Sequence, residues 1–221
     1  DKQKKTINYK NASLKIYDQK VFYFPKFFHP DPTVKRQTGF LIPKLQDNSS
    51  SGTSLNLPYF FALAENKDIT ISPRFFFNDK FLLQSELRQK NKKSFHLGDI
   101  SQYISSDNNS KGHFFYDFNK KYETKNFDDI DLNIELQQVT DDTYLKAFKI
   151  ESPIIKDKTN LKNFLSLDFY RDNLSVNTSF DVYEDLSKSD SDKFEYVPNF
   201  SFTNIINNNY SINSLGYYKN Y

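Results

Sequence analysis

The sequence predicts an all-β chain: an antiparallel meander with one apolar and one polar face. Two observations carry this. The apolar content is modest, 37%, but it is concentrated in 23 Phe and 15 Tyr, residues that pack well on a pleated sheet and lose rotamer freedom in a helix. Polar residues also recur at every second position over runs of eight to ten, which would scatter apolar groups around a helix instead of collecting them on one stripe.

The first strand is read from Ala12, Leu14 and Ile16, which alternate with Ser13, Lys15 and Tyr17. A turn is expected at Asp18-Gln19-Lys20, then a short strand Val21 to Phe24 ended by Pro25. Phe27 to Pro32 is expected to be a rigid crossing outside any sheet interior, because Pro30 and Pro32 remove backbone donors. From Thr53 the alternation lengthens. Leu55, Leu57, Tyr59, Phe61 and Leu63 share a face, and Ile69, Ile71, Pro73, Phe75 and Phe77 resume it after a turn at Asn66-Lys67-Asp68. Asn78-Asp79-Lys80 turns into Phe81 to Leu87. Further strands are expected at Phe95 to Tyr103, from Phe114 after the polar loop Ser105 to Gly112, and at Ile130 to Leu136. Leu161 to Tyr170, Leu174 to Tyr183 and Phe194 to Phe202 complete a set of about ten after residue 50. Thr143 to Ile150 is the main candidate for a helix.

Alternating runs of this length suit a membrane barrel, whose strands need about nine to eleven residues. Leu57, Tyr59, Phe61, Ile71, Phe75, Leu132, Ile134, Leu165 and Leu167 then face lipid. Asn56, Arg74, Glu86, Arg88, Asp131, Asn133, Glu135 and Asp168 face a wet lumen. Connections alternate between short and long, and aromatics gather near strand ends at Tyr59 to Phe61, Phe75 to Phe77 and Tyr217-Tyr218, as interface anchors do.

Composition sets bounds on function. The formal charge is only +2, from 30 basic and 28 acidic side chains, so no nucleic-acid partner is expected. There is no Cys, and His29, His96 and His113 are far apart in sequence, which leaves no metal or cofactor motif. No run of about 18 apolar residues offers a membrane helix. Asp1 is not an initiator Met and the chain has no Met, so it is expected to be a piece of a longer protein.

Two stretches carry a resemblance. Val21-Phe22-Tyr23-Phe24-Pro25-Lys26-Phe27-Phe28 with Lys35-Arg36-Gln37-Thr38-Gly39-Phe40-Leu41-Ile42-Pro43 resembles the segment by which LptD proteins leave a periplasmic β-jellyroll and enter their barrel. Leu57-Pro58-Tyr59-Phe60-Phe61 through Ile71-Ser72-Pro73-Arg74 resembles that family's first barrel hairpin. Weaker likenesses fall at Val139 to Phe148 and Tyr196-Val197-Pro198. The resemblance implies that residues 1–43 end a periplasmic jellyroll and its junction, and that 44–221 form the N-terminal part of a large outer-membrane β-barrel. The implied work is transport and not catalysis. Lipopolysaccharide arrives from an LptA-like periplasmic bridge and leaves sideways into outer-membrane lipids, between the first and last strands of a barrel partly plugged by an LptE-like lipoprotein. Thr53 to Ala64 would be the first strand.

On that reading Pro58, Pro73, Tyr59 and Phe60 form the lateral gate and junction. The two prolines each remove a ladder donor, or simply mark an edge or bulge. Lys35 and Arg36 contact an anionic headgroup, or act as a solvated anchor at the membrane surface. Two alternatives remain open: a soluble all-β glycan-binding or surface-structural protein, and a hydrolase using Asp129, Asp131 and Glu135.

Overall fold

The computed structural model describes residues 6–16, 18–30, 36–77, 80–104, 110–189, 191–207 and 210–217. Strands β1 (Thr6–Ile16) and β2 (Gln19–Pro30) form a two-stranded antiparallel ribbon. The expected turn is displaced: Asp18 takes the left-handed conformation (φ 61°), while Gln19 and Lys20 already pair with Ile16 and Lys15. Pro25 does not end β2. In a two-stranded ribbon a proline has a free side toward which its missing donor can point. The pairing continues to His29 and Pro30, so the expected crossing is strand as far as Pro30. Its last two residues, Asp31 and Pro32, lie outside the described residues.

All other strands belong to one sheet: β3 (Gly39–Phe40), β4 (Lys44–Gln46), β5 (Ser54–Asn56), β6 (Tyr59–Ala64), β7 (Lys67–Phe76), β8 (Phe81–Lys90), β9 (Ser94–Ile104), β10 (Lys111–Tyr122), β11 (Asp129–Val139), β12 (Asn160–Arg171), β13 (Leu174–Asp185), β14 (Phe194–Asn207) and β15 (Tyr210–Tyr217). From β7 to β15 each strand pairs antiparallel with the next in sequence, the meander expected from the alternation. Among the described residues eleven strands start after residue 50, against about ten expected. The turn expected at Asn66 to Asp68 is tighter, since Lys67 is already in β7.

Register sorts the two faces. Phe118, Ile134, Leu165, Phe180 and Pro198 stand directly opposite one another across five strands. One residue along, Asn119, Asn133, Ser166, Ser179 and Asn199 form the next row and point the other way. Side chains in the polar row bond across strands, Asn133 to Ser166 at 3.1 Å and Asn199 to Ser179 at 3.3 Å. The residues assigned from sequence to lipid fall together on the first face, and those assigned to the lumen fall together on the second. The apolar face is uncovered, with Phe114, Leu136, Leu165, Phe180 and Phe200 all exposed.

The buried core lies on the other, polar face. The connection 140–159 folds back over it, carrying the single helical turn α1 (Tyr144–Ala147). Asp141 starts the turn by accepting from the Thr143 amide (3.0 Å) and hydroxyl (2.6 Å). Lys149, in the left-handed region (φ 48°), stops it. The expected helix is therefore shorter than Thr143 to Ile150. Tyr144, Leu145, Phe148 and Ile150 are buried against Phe76, Leu82, Tyr103 and Phe115.

The longest connections, 140–159 and 186–193, lie at one end of the sheet; at the other lie 65–66, 91–93 and 172–173, with 123–128 longer than these. Gly39 pairs with Phe60, close to the 65–66 turn, so the chain passes from the β1–β2 ribbon into the sheet at the short-turn end.

Candidate functional site

The N-terminal edge of the sheet is broken, and the breaks have a residue-level cause. β5 and β6 keep one register against β7, from Ser54↔Phe76 through Asn56↔Arg74 to Tyr59↔Ile71, so they are one strand interrupted at Leu57-Pro58. The Leu57 amide donates to the Pro73 carbonyl at 3.0 Å. In an antiparallel ladder that pair would exchange two bonds, but Pro73 has no N–H to return. The same happens one strand outward. The Leu41 amide donates to the Pro58 carbonyl at 2.9 Å, and Pro58 returns nothing to Leu41.

β3 and β4 form the outermost strand, which runs beside β6 and then β5. Its register slips by one residue between Phe40↔Tyr59 and Lys44↔Asn56, over a stretch that contains Pro43. Thr53 to Ala64 is therefore the second strand from this edge. Residues 39–46 precede it in the sheet. Tyr59 braces the break with an edge-to-face contact to Phe40, centroids 4.8 Å apart, and a tilted contact to Phe61 at 4.6 Å. Phe60 pairs with Gly39 and Thr70.

Against this break, on the polar face, lies a cavity of about 440 Å³ lined in part by Leu41, Ile42, Pro58, Arg74, Glu86 and Glu151. Arg74 is buried and donates to the Phe148 carbonyl at 2.6 Å, yet its Nε has no partner. Asn56 Oδ1, also on the cavity wall, is buried and unpartnered too. Ile42, at 76%, is the most exposed large apolar residue described. The cavity thus pairs an apolar lip with polar groups whose bonding capacity is unmet.

At the short-turn end, Arg36 donates to the Glu65 carbonyl and to Asp68, and Arg88 Nε meets the other oxygen of Asp68 at 2.8 Å. The Arg36 guanidinium is thus engaged by the chain itself, pinning residue 36 to the β6–β7 turn. Lys35 lies outside the described residues, as does Tyr218. Of the carboxylates considered for hydrolysis, Asp131 pairs with Lys121 at 3.1 Å and Glu135 accepts from Gln137.

Sequence reading missed the network that seats the 140–159 connection. Ser101 Oγ lies 2.6 Å from Tyr144 Oη and 2.6 Å from His113 Nδ1. His113 Nε2 sits 3.2 Å from Asp99 Oδ1, off the line of a hydrogen bond. Gln84 Nε2 bridges Asp99 and the Glu151 carbonyl at 3.0 Å and 2.9 Å. Asp99, Ser101 and His113 are all buried, and of the three only Ser101 reaches the connection's Tyr144. Burial pushes the Tyr144 hydroxyl up to about 12, against the opposing pull of Ser101 and Arg74, so it stays a donor. The Lys111 ammonium, with help from Thr143, holds the Asp141 carboxyl below its usual range. Asp142 and Glu184 raise Lys193 to about 12, tying the β13–β14 loop to the same connection. The signal was present as an unusually apolar loop: Tyr144, Leu145, Phe148, Ile150, Ile154 and Ile155 are too many for a solvated connection.

Fold and site define a class: an antiparallel meander with faces sorted by polarity and its longest connections at one end, features shared by membrane barrels. The chain belongs to the LptD family, for the family model described as LptD protein matches residues 7–142. An LPS-assembly protein LptD of Pseudoalteromonas atlantica is 29% identical over 192 residues, covering 86% of this chain and 24% of that protein. The protein of the same name from Nitrosococcus oceani is 28% identical over 182 residues, 81% of this chain and 24% of its own length. That of Ectopseudomonas mendocina is 41% identical over 78 residues, 35% of this chain and 8% of the relative. The chain spans about a quarter of the length of the first two.

Proposed function

We propose that this chain is the junction and first wall of a laterally opening outer-membrane β-barrel that delivers lipopolysaccharide to the outer leaflet. Residues 1–43 bring the end of a periplasmic jellyroll to the membrane, and residues 44–221 supply barrel wall, with β3 joined to that wall by its pairing. The short-turn end, where the chain enters the sheet, faces the periplasm. An LptA-like bridge supplies the substrate there, and an LptE-like lipoprotein occupies the lumen of the complete barrel. The protein works by transport and not by catalysis.

The observation that carries this reading is the pair of unreturned ladder bonds at Pro58 and Pro73. An edge weakened in this way parts more easily than a regular one. The cavity behind it brings the apolar Leu41 and Ile42 together with Arg74, Glu86 and a Lys44–Glu151 pair at 3.0 Å, a lining with polar and apolar parts that suits an amphipathic molecule. A soluble glycan-binding sheet would share the alternation, but it would not leave Phe114, Leu136, Leu165, Phe180 and Phe200 exposed together on one face.

The test is Pro58→Ala with Pro73→Ala in the full-length protein. Restoring the two donors stabilises the edge by roughly 0.5–1.5 kcal/mol for each bond that forms. Lipopolysaccharide arriving at the cell surface should fall, while the amount of folded protein in the outer membrane holds or rises. Normal delivery by the normally assembled double variant would leave the prolines as edge markers only.

A further inference from the structure

The outermost strand of the sheet is fastened at both ends and loose between them. At the short-turn end Arg36 donates to the Glu65 carbonyl and to Asp68, and the Ala62 amide donates to Thr38 Oγ1 at 3.0 Å. Gly39 and Phe40 then pair with Phe60 and Tyr59. At the other end Lys44, Leu45 and Gln46 pair with Asn56, Leu55 and Ser54. Between these anchors, Leu41 to Pro43 carry one backbone bond to the next strand among the described residues, from the Leu41 amide to the Pro58 carbonyl. The register slips by one residue over the same stretch.

A pairing of three residues at the end of an edge strand opens readily by itself. The 140–159 connection holds it. Asn48 Nδ2 donates to the Ala147 carbonyl at 2.7 Å, and Lys149 Nζ donates to the Asp47 carbonyl at 2.8 Å, so the residues that follow β4 are tied to the end of α1. Lys44 adds an ion pair with Glu151 at 3.0 Å, which is exposed and contributes little. The connection is seated in turn by Tyr144, Leu145, Phe148 and Ile150, so the tie leads into the buried core. Glu151 also lines the cavity bordered by Leu41, Ile42 and Pro58. We infer that the 140–159 connection is a latch on the outermost strand, and that this edge parts at Leu41 to Pro43 while both its ends stay fastened. A loose middle between two anchors gives way as a window, whereas an edge held at one end peels. The inference rests on the lateral-opening reading above for what passes the edge, and on the hydrogen bonds for where it parts.

Amide hydrogen exchange of the full-length protein in lipid nanodiscs, read residue by residue, tests this. The Leu57 amide points to β7, so the amides of Ser54, Asn56, Phe60 and Ala62 point to the outermost strand. The Leu41 amide should exchange at least about a hundredfold faster than all four, each rate taken relative to its unfolded value. Protection that falls steadily from one end of the edge to the other would overturn the inference. Asn48→Asp keeps the oxygen that accepts from the Ser50 amide but cannot donate to Ala147, and Lys149→Met removes the second tie. Together they should bring Ser54 and Asn56 to within about tenfold of Leu41, with Phe60 and Ala62 still protected. Full protection of all four in that variant would overturn the latch, and so would loss at all four, which would mean that the edge comes away as one piece. A slow, fast, slow profile combined with normal delivery by the Pro58→Ala, Pro73→Ala protein defeats the transport reading alone. Steadily falling protection in a protein whose delivery those substitutions block defeats the latch alone.

Discussion

Replacing Ile134 by Arg destabilises the folded full-length protein in bilayers by about 2–4 kcal/mol, the cost of a cation on the lipid face near the membrane midplane. Ile134 is the middle residue of β11 and stands in the row Phe118, Ile134, Leu165, Phe180, so an arginine there has only hydrocarbon or a neighbouring apolar side chain to meet. Asn133, one residue earlier, faces the polar row and bonds to Ser166. Asn133→Arg is accommodated by a wet lumen and costs less than about 1 kcal/mol, the range of an ordinary polar surface change. Equilibrium unfolding of both variants from lipid vesicles reads the difference. The contrast between adjacent residues is more informative than either value, because a soluble sheet would treat position 134 as a surface site.

Tyr144→Ala has the second large effect, and it acts on the connection folded against the inner face. The side chain is fully buried among Tyr103, Phe115 and Phe148, and its hydroxyl is held by Ser101 at 2.6 Å. Truncating a buried aromatic of this size costs about 3–5 kcal/mol through lost contacts and the cavity left behind. Tyr144→Phe keeps the ring and loses about 1 kcal/mol with the hydrogen bond. Apart from its buried apolar side chains the connection is attached by polar contacts: Arg74 to the Phe148 carbonyl, Asn48 to the Ala147 carbonyl, Lys149 to the Asp47 carbonyl, Gln84 to the Glu151 carbonyl, and Lys44, Lys111 and Lys193 to Glu151, Asp141 and Asp142. The alanine variant should therefore release 140–159 before the strands separate. Limited proteolysis should cut the Ala variant there while the Phe variant stays protected, and simultaneous loss of both would show that the connection is not a separate unit.

Strands were legible from sequence wherever one face alternates without interruption, as at Ile130 to Leu136, because period two places those side chains whatever their partners. The prolines were legible too, as donors missing from a strand pattern. Which carbonyls they leave without a return bond was not. That depends on register, which brings Leu57 to Pro73 and Leu41 to Pro58. The outermost strand escaped notice because Gly39-Phe40 and Lys44 to Gln46 are too short to show a period. They become strand only by pairing with β6 and β5. Pro25 misled in the opposite direction: a proline stops an interior strand but not one with a free side. The Asp99, Ser101, His113 network was hidden because each residue alone looks like an ordinary lumen position. It is assembled by the β9–β10 register and by Tyr144, 43 residues beyond Ser101.

The central claim is that this sheet separates lipid from water, and strand β11 tests it most directly. Spin labels placed singly at positions 131 through 136 of the full-length protein in bilayers report contact with lipid-soluble or water-soluble relaxation agents. Positions 132, 134 and 136 should contact lipid while 131, 133 and 135 contact water, in strict alternation. Uniform water contact at 132, 134 and 136 would contradict the membrane assignment and return the chain to the soluble class.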